Sequence, residues 1–242
     1  MKIAVIIPGL IRTFNNNNVI KSFNRTFEDY DIDVYSSIWD IRGKYTQNKK
    51  YKSTINYLSE EKVTDSDIDV LKKSYKIKEI KVDSFKEWSD ENENFLKEYN
   101  HKHPNSGYQM TKNGIFSQYY QILESFKMIP NLDLYDVIVK TRYDITFNKI
   151  EFDKINLEEN TYYTLEVTND INVPTDFVFF GTPSFMKKFM GIYEYMKNVD
   201  EFNPNNFHKT HPVYTPEIFT LKFLQDNNYN FKNLKLNPKR IR

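Results

Sequence analysis

The chain opens with an alternation of apolar and polar positions that is typical of an α/β fold. Residues 2–7 (KIAVII) form an unbroken apolar run that ends at Pro8-Gly9, which indicates a strand buried on both faces. Apolar residues recur at helical spacing over residues 19–27, and residues 31–39 (DIDVYSSIW) indicate a second strand. This strand, helix and strand predict the start of a doubly wound sheet.

The second half of the chain continues the alternation of helices and strands. An apolar helical face precedes Pro130, which ends that helix, and Pro216 stands in the first turn of another. The predicted elements, in order, are a helix over 113–128, strands at 137–139, 161–167 and 177–180, and helices over 184–196 and 216–227.

Residues 41–105 have a weaker pattern and are rich in Lys, Asp, Glu, Asn and Tyr. Within them, residues 67–75 favour a helix and residues 76–82 (KIKEIKV) alternate as a strand does. We predict an α/β fold of one domain over residues 1–242, built on a mixed, mainly parallel sheet flanked by helices. A variable insertion at about residues 41–105 is expected to interrupt it.

Composition narrows the classes of function. Aromatic residues make up 16% of the 242 residues, so Phe and Tyr must build much of the core. A net charge of +1 does not favour a nucleic-acid partner. The absence of Cys excludes disulfides, thiolate metal sites and a Cys nucleophile. No stretch approaches the roughly 18 apolar residues of a membrane span, so we expect a cytoplasmic protein.

Polar residues follow the predicted strands at the edge where open α/β sheets bind ligands. Arg12 and Arg142 could each fork onto phosphate oxygens, and Asp144 could hold a hard divalent cation. Asp176 or Glu217 could orient or deprotonate an acceptor hydroxyl. The complete candidate set is Pro8, Gly9, Arg12, Thr13, Asp40, Tyr120, Arg142, Asp144, Asp176 and Glu217.

Each candidate also has a purely structural interpretation. Arg142 and Asp144 can form a surface ion pair of little energetic value. Asp176 can cap a turn, and Glu217 is favourable in the first turn of any helix. His208 and His211 lie close in sequence, but without a matching carboxylate spacing they are better interpreted as part of a solvated loop.

Taken in order, the motifs resemble those of the small GT-A-fold glycosyltransferases found in bacterial polysaccharide clusters and in large DNA viruses. The resemblance runs from residue 2 to about residue 228 but omits residues 41–105. Its motifs are Gly9-x-x-Arg12-Thr13, Trp39-Asp40, Ser117-Gln118-Tyr119-Tyr120, Lys140-Thr141-Arg142-Tyr143-Asp144, Asp176-Phe177 with Phe179-Phe180-Gly181, and Glu217.

The resemblance implies a hexosyl- or deoxyhexosyl-transferase with a nucleotide-sugar donor, a glycan-type acceptor, and Mn²⁺ or Mg²⁺ bridging the donor phosphates. Arg142-x-Asp144 stands where many such enzymes carry Asp-x-Asp, so Asp144 is the implied metal ligand. Because Arg142 replaces the first acid, either Asp144 and substrate oxygens hold the metal, or Arg142 partly replaces it electrostatically. Asp176 and Glu217 are the implied catalytic residues, and Tyr120 and Phe177 are candidates for lining the sugar pocket.

Two other functions remain open from the sequence. Residues 8–13 (PGLIRT) faintly resemble the phosphate-binding loop of sulfotransferases, in which Ser-Gly-Thr follows a basic residue, but here Phe14 and Asn15 follow Thr13 and the glycine is missing. A non-catalytic protein that binds nucleotides or carbohydrates is equally compatible with the fold, because a fold does not determine a function.

Overall fold

The computed structural model describes residues 1–47, 54–102, 114–165, 174–198, 216–234 and 239–240. The strands in these ranges are β1 (Lys2–Ile6), β2 (Asp31–Trp39), β3 (Ile41–Gln47), β4 (Thr54–Lys62), β5 (Ile77–Asp83), β6 (Val137–Lys140), β7 (Ile145–Thr146), β8 (Thr161–Leu165), β9 (Phe179–Gly181), β10 (Asn230–Leu234) and β11 (Lys239–Arg240). The helices are α1 (Asn17–Phe27), α2 (Asp65–Tyr75), α3 (Phe85–Glu91), α4 (Glu93–Lys102), α5 (Ile115–Lys127), α6 (Pro183–Phe189), α7 (Ile192–Asn198) and α8 (Pro216–Asp226).

Seven strands form one mixed, mainly parallel sheet, which confirms the predicted fold class. Their order across the sheet is β10-β8-β9-β6-β1-β2-β5. Only β9 runs antiparallel to its neighbours β6 and β8, and the other neighbouring pairs are parallel. The central strand β1 is buried on both faces, as its unbroken apolar run predicts.

Aromatic side chains build the cores on the two faces of this sheet. On one face, Phe116 of α5 and Phe219 of α8 pack in the same cluster as Trp39. On the other face, Phe23 of α1 and Tyr75 of α2 meet edge to face, with ring centroids 5.2 Å apart. Within the described ranges, no helix is both long and apolar enough to cross a membrane.

Residues 41–102 contribute to the sheet as well as to its periphery. The predicted helix and strand at residues 67–82 are confirmed as α2 and β5, and β5 pairs in parallel with β2 at the edge of the sheet. Thr64 and Asp67 form a capping box that begins α2. The strands β3 and β4 form a separate antiparallel pair, followed after β5 by α3 and α4.

The prediction of one continuous helix over residues 184–196 is wrong. The segment forms α6 and α7, separated by Met190 and Gly191. Glycine weakens a helix interior, and a Cβ at Gly191 would lie 3.2 Å from the Lys188 carbonyl oxygen and 4.0 Å from the Phe223 ring. Phe223 belongs to α8, so α8 packs against the chain at the point where α6 ends and α7 begins. Residues 166–167 of the predicted strand, His208 and His211 lie outside the described residues.

Candidate active site

A cavity of about 340 Å³ opens at the carboxyl ends of β1 and β6. The first turns of α5 and α8 border the same cavity through Gly114, Ser117 and Pro216. Seven of the ten predicted site residues line it, namely Pro8, Gly9, Arg12, Arg142, Asp144, Asp176 and Glu217. Its position agrees with the general location of ligand sites in open α/β sheets.

The loop after β1 directs Arg12 to the cavity. Gly9 has a φ of +100° and its N–H donates to the Ser37 carbonyl oxygen at 2.9 Å, so the loop continues along β2. The Thr13 hydroxyl donates to the Tyr143 carbonyl oxygen at 3.0 Å and holds the end of the loop. Gly43 of β3 is also required, because a Cβ there would come within 2.6 Å of Arg12 Cγ.

Arg142 and Asp144 form a buried, two-pronged ion pair at the end of β6. Arg142 Nε donates to Asp144 Oδ1 at 2.8 Å, and Arg142 Nη2 donates to Asp144 Oδ2 at 2.9 Å. Arg12 Nη1 lies 3.7 Å from the same Oδ2. The side chains of Arg142 and Asp144 are only 13% and 5% exposed, so the surface ion-pair interpretation does not describe them.

Asp176 is held from several directions. Its Oδ2 accepts a hydrogen bond from Gln118 Nε2 at 2.6 Å and another from Arg142 Nη1 at 3.3 Å. Its backbone carbonyl accepts from Lys140 Nζ. Because Oδ2 already accepts these hydrogen bonds, Asp176 is suited to positioning its neighbours. Glu217, half-buried in the first turn of α8, is the other predicted catalytic carboxylate at the cavity.

Gln118 and Lys140 stand in the motifs of the resemblance, but the sequence analysis gave neither of them a role in the site. Lys140 is fully buried at the last position of β6, and its Nζ lies 5.3 Å from the centroid of the Phe179 ring. Gln118 lines the cavity from the first turns of α5. The sequence did contain a signal for Lys140, since it ends an otherwise apolar central strand. A charge buried there requires specific partners.

Three predicted residues lie elsewhere: Asp40, Thr13 and Tyr120 do not line the cavity. Asp40 accepts the Phe85 N–H at 3.0 Å, at the start of α3, and pairs with Lys62. The Tyr120 ring stacks on Trp39 at 5.5 Å. Burial raises the pKa of Tyr120 to about 12, so its hydroxyl stays protonated at neutral pH.

The described residues do not fit the divalent cation that the resemblance implies. Both oxygens of Asp144 accept hydrogen bonds from Arg142, and Asp176 Oδ2 accepts from Gln118 and Arg142. Within the part of the chain that the structure describes, no group of three or more His, Cys, Asp or Glu side chains could hold a metal ion. Mg²⁺ requires near-octahedral oxygen ligation, which a carboxylate engaged by a guanidinium group is poorly placed to supply.

The sulfotransferase alternative is not favoured by the loop geometry. In that class the phosphate sits on the N–H groups that begin the helix after β1. Here Asn16 caps α1 with its own side chain, which accepts the Asn18 N–H at 2.9 Å. The first turn of α1 does not line the cavity.

No protein-family model matches the chain, and no curated protein matches it. Among solved structures, it is similar to the glycosyltransferase GlyE of Streptococcus pneumoniae TIGR4, at 11% identity and a TM-score of 0.46 over 97% of this chain and 45% of that one. Mouse xyloside xylosyltransferase 1 matches at 9% identity and a TM-score of 0.43, over 97% and 85% of the two chains.

A glycosyltransferase involved in the glycosylation of the major capsid of PBCV-1 matches at 10% identity and a TM-score of 0.41, over 97% of this chain and 83% of that one. The chain therefore spans less than half the length of GlyE but most of the other two proteins. At such low identity and TM-score, the similarity does not transfer the activity or substrates of those proteins to this chain.

Proposed function

We propose that this protein is a glycosyltransferase that moves a sugar from a nucleotide-sugar donor to a hydroxyl group of a glycan-type acceptor. One observation carries the proposal. A single cavity at the carboxyl edge of the sheet brings together the guanidinium groups of Arg12 and Arg142 and the half-buried carboxylate of Glu217. Transfer of an activated sugar needs stabilisation of the departing diphosphate, which cations supply, and usually a carboxylate near the acceptor hydroxyl.

The donor would bind with its diphosphate against Arg12 and Arg142. A guanidinium group presents its N–H donors as a fork that matches two phosphate oxygens. Phe177 lines the cavity with its ring 5.5 Å from the Arg142 guanidinium carbon, and Trp39 lines it as well. These rings supply apolar surfaces on which a sugar or a base can pack.

The transfer step replaces one bond at the anomeric carbon with another. A bond forms between the acceptor oxygen and the anomeric carbon, and the bond from that carbon to the diphosphate oxygen breaks. Glu217 accepts the proton of the acceptor hydroxyl. The negative charge that develops on the departing diphosphate is stabilised by Arg12 and Arg142, whose positions are set before the reaction.

The proposal is tested with nucleoside diphosphates of the five common bases and their sugar conjugates. Binding is measured by the shift in melting temperature, since a ligand of the folded state raises it, and turnover by sugar release from the conjugate. We expect one base to be selected. If none of the diphosphates or conjugates binds, the proposal is wrong. Binding without any sugar release or transfer would favour the non-catalytic alternative.

A pair of variants tests the role of Glu217. Glu217→Gln should retain donor binding and lose about 10²- to 10⁴-fold in transfer rate, the usual contribution of a general base. Glu87→Gln is the matched control, because Glu87 also stands in the first turn of a helix but is exposed and does not line the cavity. Equal transfer rates in the two variants would remove Glu217 from the mechanism.

A further inference from the structure

We infer that Asp144 holds the guanidinium groups of Arg12 and Arg142 in place and that the donor diphosphate binds without a divalent cation. The inference rests on the proposed function, because it concerns how the same cavity binds its donor. It differs from the resemblance, which implies Mn²⁺ or Mg²⁺ bound through Asp144.

The carboxylate of Asp144 already has cationic partners. Arg142 engages both of its oxygens at 2.8 and 2.9 Å, and Arg12 Nη1 approaches Oδ2 at 3.7 Å. A metal ion on the same oxygens would lie beside two guanidinium groups that remain charged at any physiological pH. Like charges at such separations repel strongly in a cavity of low dielectric constant.

The neighbouring carboxylate does not complete a metal site. The Asp176 side chain is 3% exposed, and its Oδ2 accepts hydrogen bonds from Gln118 at 2.6 Å and from Arg142 at 3.3 Å. Arg142 therefore bridges Asp144 and Asp176, at a position between two acids where a bridging cation would otherwise be expected. Its guanidinium group also lies 5.5 Å from the centroid of the Phe177 ring, which restricts its orientation.

The cavity offers other groups that favour a diphosphate. Lys140 lines it from the end of β6, adding a third cationic side chain to Arg12 and Arg142. The first turn of α5 borders it, contains no acidic residue and has Gly114 as its cap, without a side-chain cap. The positive end of that helix dipole therefore adds to the same field. The three cationic side chains and the helix terminus can thus neutralise the diphosphate charge that a bound divalent cation would otherwise neutralise.

The test measures binding of the five common nucleoside diphosphates by calorimetry, in EDTA and in Mn²⁺. We expect the selected diphosphate to bind with the same Kd within about twofold in both buffers. Arg142→Met should weaken binding in EDTA by about 10- to 100-fold, the value of a hydrogen bond between charged groups. Lys21→Ala, on the exposed surface of α1, is the control and should bind as the parent does.

Asp144→Asn separates the two roles of this residue. Asparagine keeps an oxygen that accepts a guanidinium hydrogen bond and removes a negative charge near the phosphates, so binding in EDTA should weaken by no more than about threefold. Binding that requires Mn²⁺ and is lost in Asp144→Asn would overturn the inference while leaving the proposed function intact. Absence of binding in both buffers would instead overturn the proposed function.

Discussion

The buried pair of Arg142 and Asp144 should couple far more strongly than a surface ion pair. Arg142→Met removes two hydrogen bonds to Asp144 and one to Asp176, and leaves two carboxylates that are 5% and 3% exposed. Breaking one partner of a buried pair costs about 3–5 kcal/mol. Arg12 and Gln118 remain near these carboxylates, so we expect a loss of about 3 kcal/mol, at the lower end of that range.

A double-mutant cycle measures the coupling directly. Urea unfolding is followed for the parent, Arg142→Met, Asp144→Ala and the double variant, and the interaction energy is taken from the four free energies of unfolding. We expect a coupling of about 2 kcal/mol or more, against less than about 1 kcal/mol for exposed pairs. The control cycle uses Lys86 and Asp90, whose side chains are 82% and 58% exposed. Equal coupling in the two cycles would refute the reasoning.

Three further predictions concern the surroundings of the site. Gly43→Ala should displace Arg12, because its Cβ would lie 2.6 Å from Arg12 Cγ, and calorimetry should show the donor Kd rising by about tenfold. Asp40→Asn should lower the melting temperature, because Asp40 accepts the Phe85 N–H at the start of α3, and should leave donor affinity unchanged. A weaker donor affinity in this variant would show that Asp40 does belong to the binding site. Burial raises the pKa of Asp67, but hydrogen bonds from Arg42 and Thr64 and the charge of Arg42 together outweigh burial and hold that pKa below its usual value. The resulting stability is fully present above the unfolded carboxyl pKa of about 4 and is lost as pH falls through the lower folded value. When the free energy of unfolding is measured against pH, Asp67→Asn should therefore lose less stability on acidification than the parent does. The same pH dependence in both proteins would contradict this prediction.

The local pattern of the sequence determined most of the elements. The unbroken apolar run at residues 2–7 predicted β1, since a parallel strand covered on both faces typically consists of such a run, and residues 31–39 predicted β2. The carboxyl ends of these strands and of β6 predicted where Arg12, Arg142 and Asp144 meet. That inference succeeded because parallel strands place their carboxyl ends at the same edge.

The tertiary structure alone decided which of the candidate side chains reach the cavity. Asp40 follows a strand as Arg142 does, but it binds Lys62 and Phe85, which lie 22 and 45 positions further along the chain. These contacts hold the Asp40 side chain outside the cavity. Lys140 and Gln118 both contact Asp176 at the cavity, although they lie 36 and 58 positions from it in sequence. Periodicity is set by near neighbours along the chain, whereas the destination of a polar side chain is set by distant partners that only folding brings within hydrogen-bonding distance.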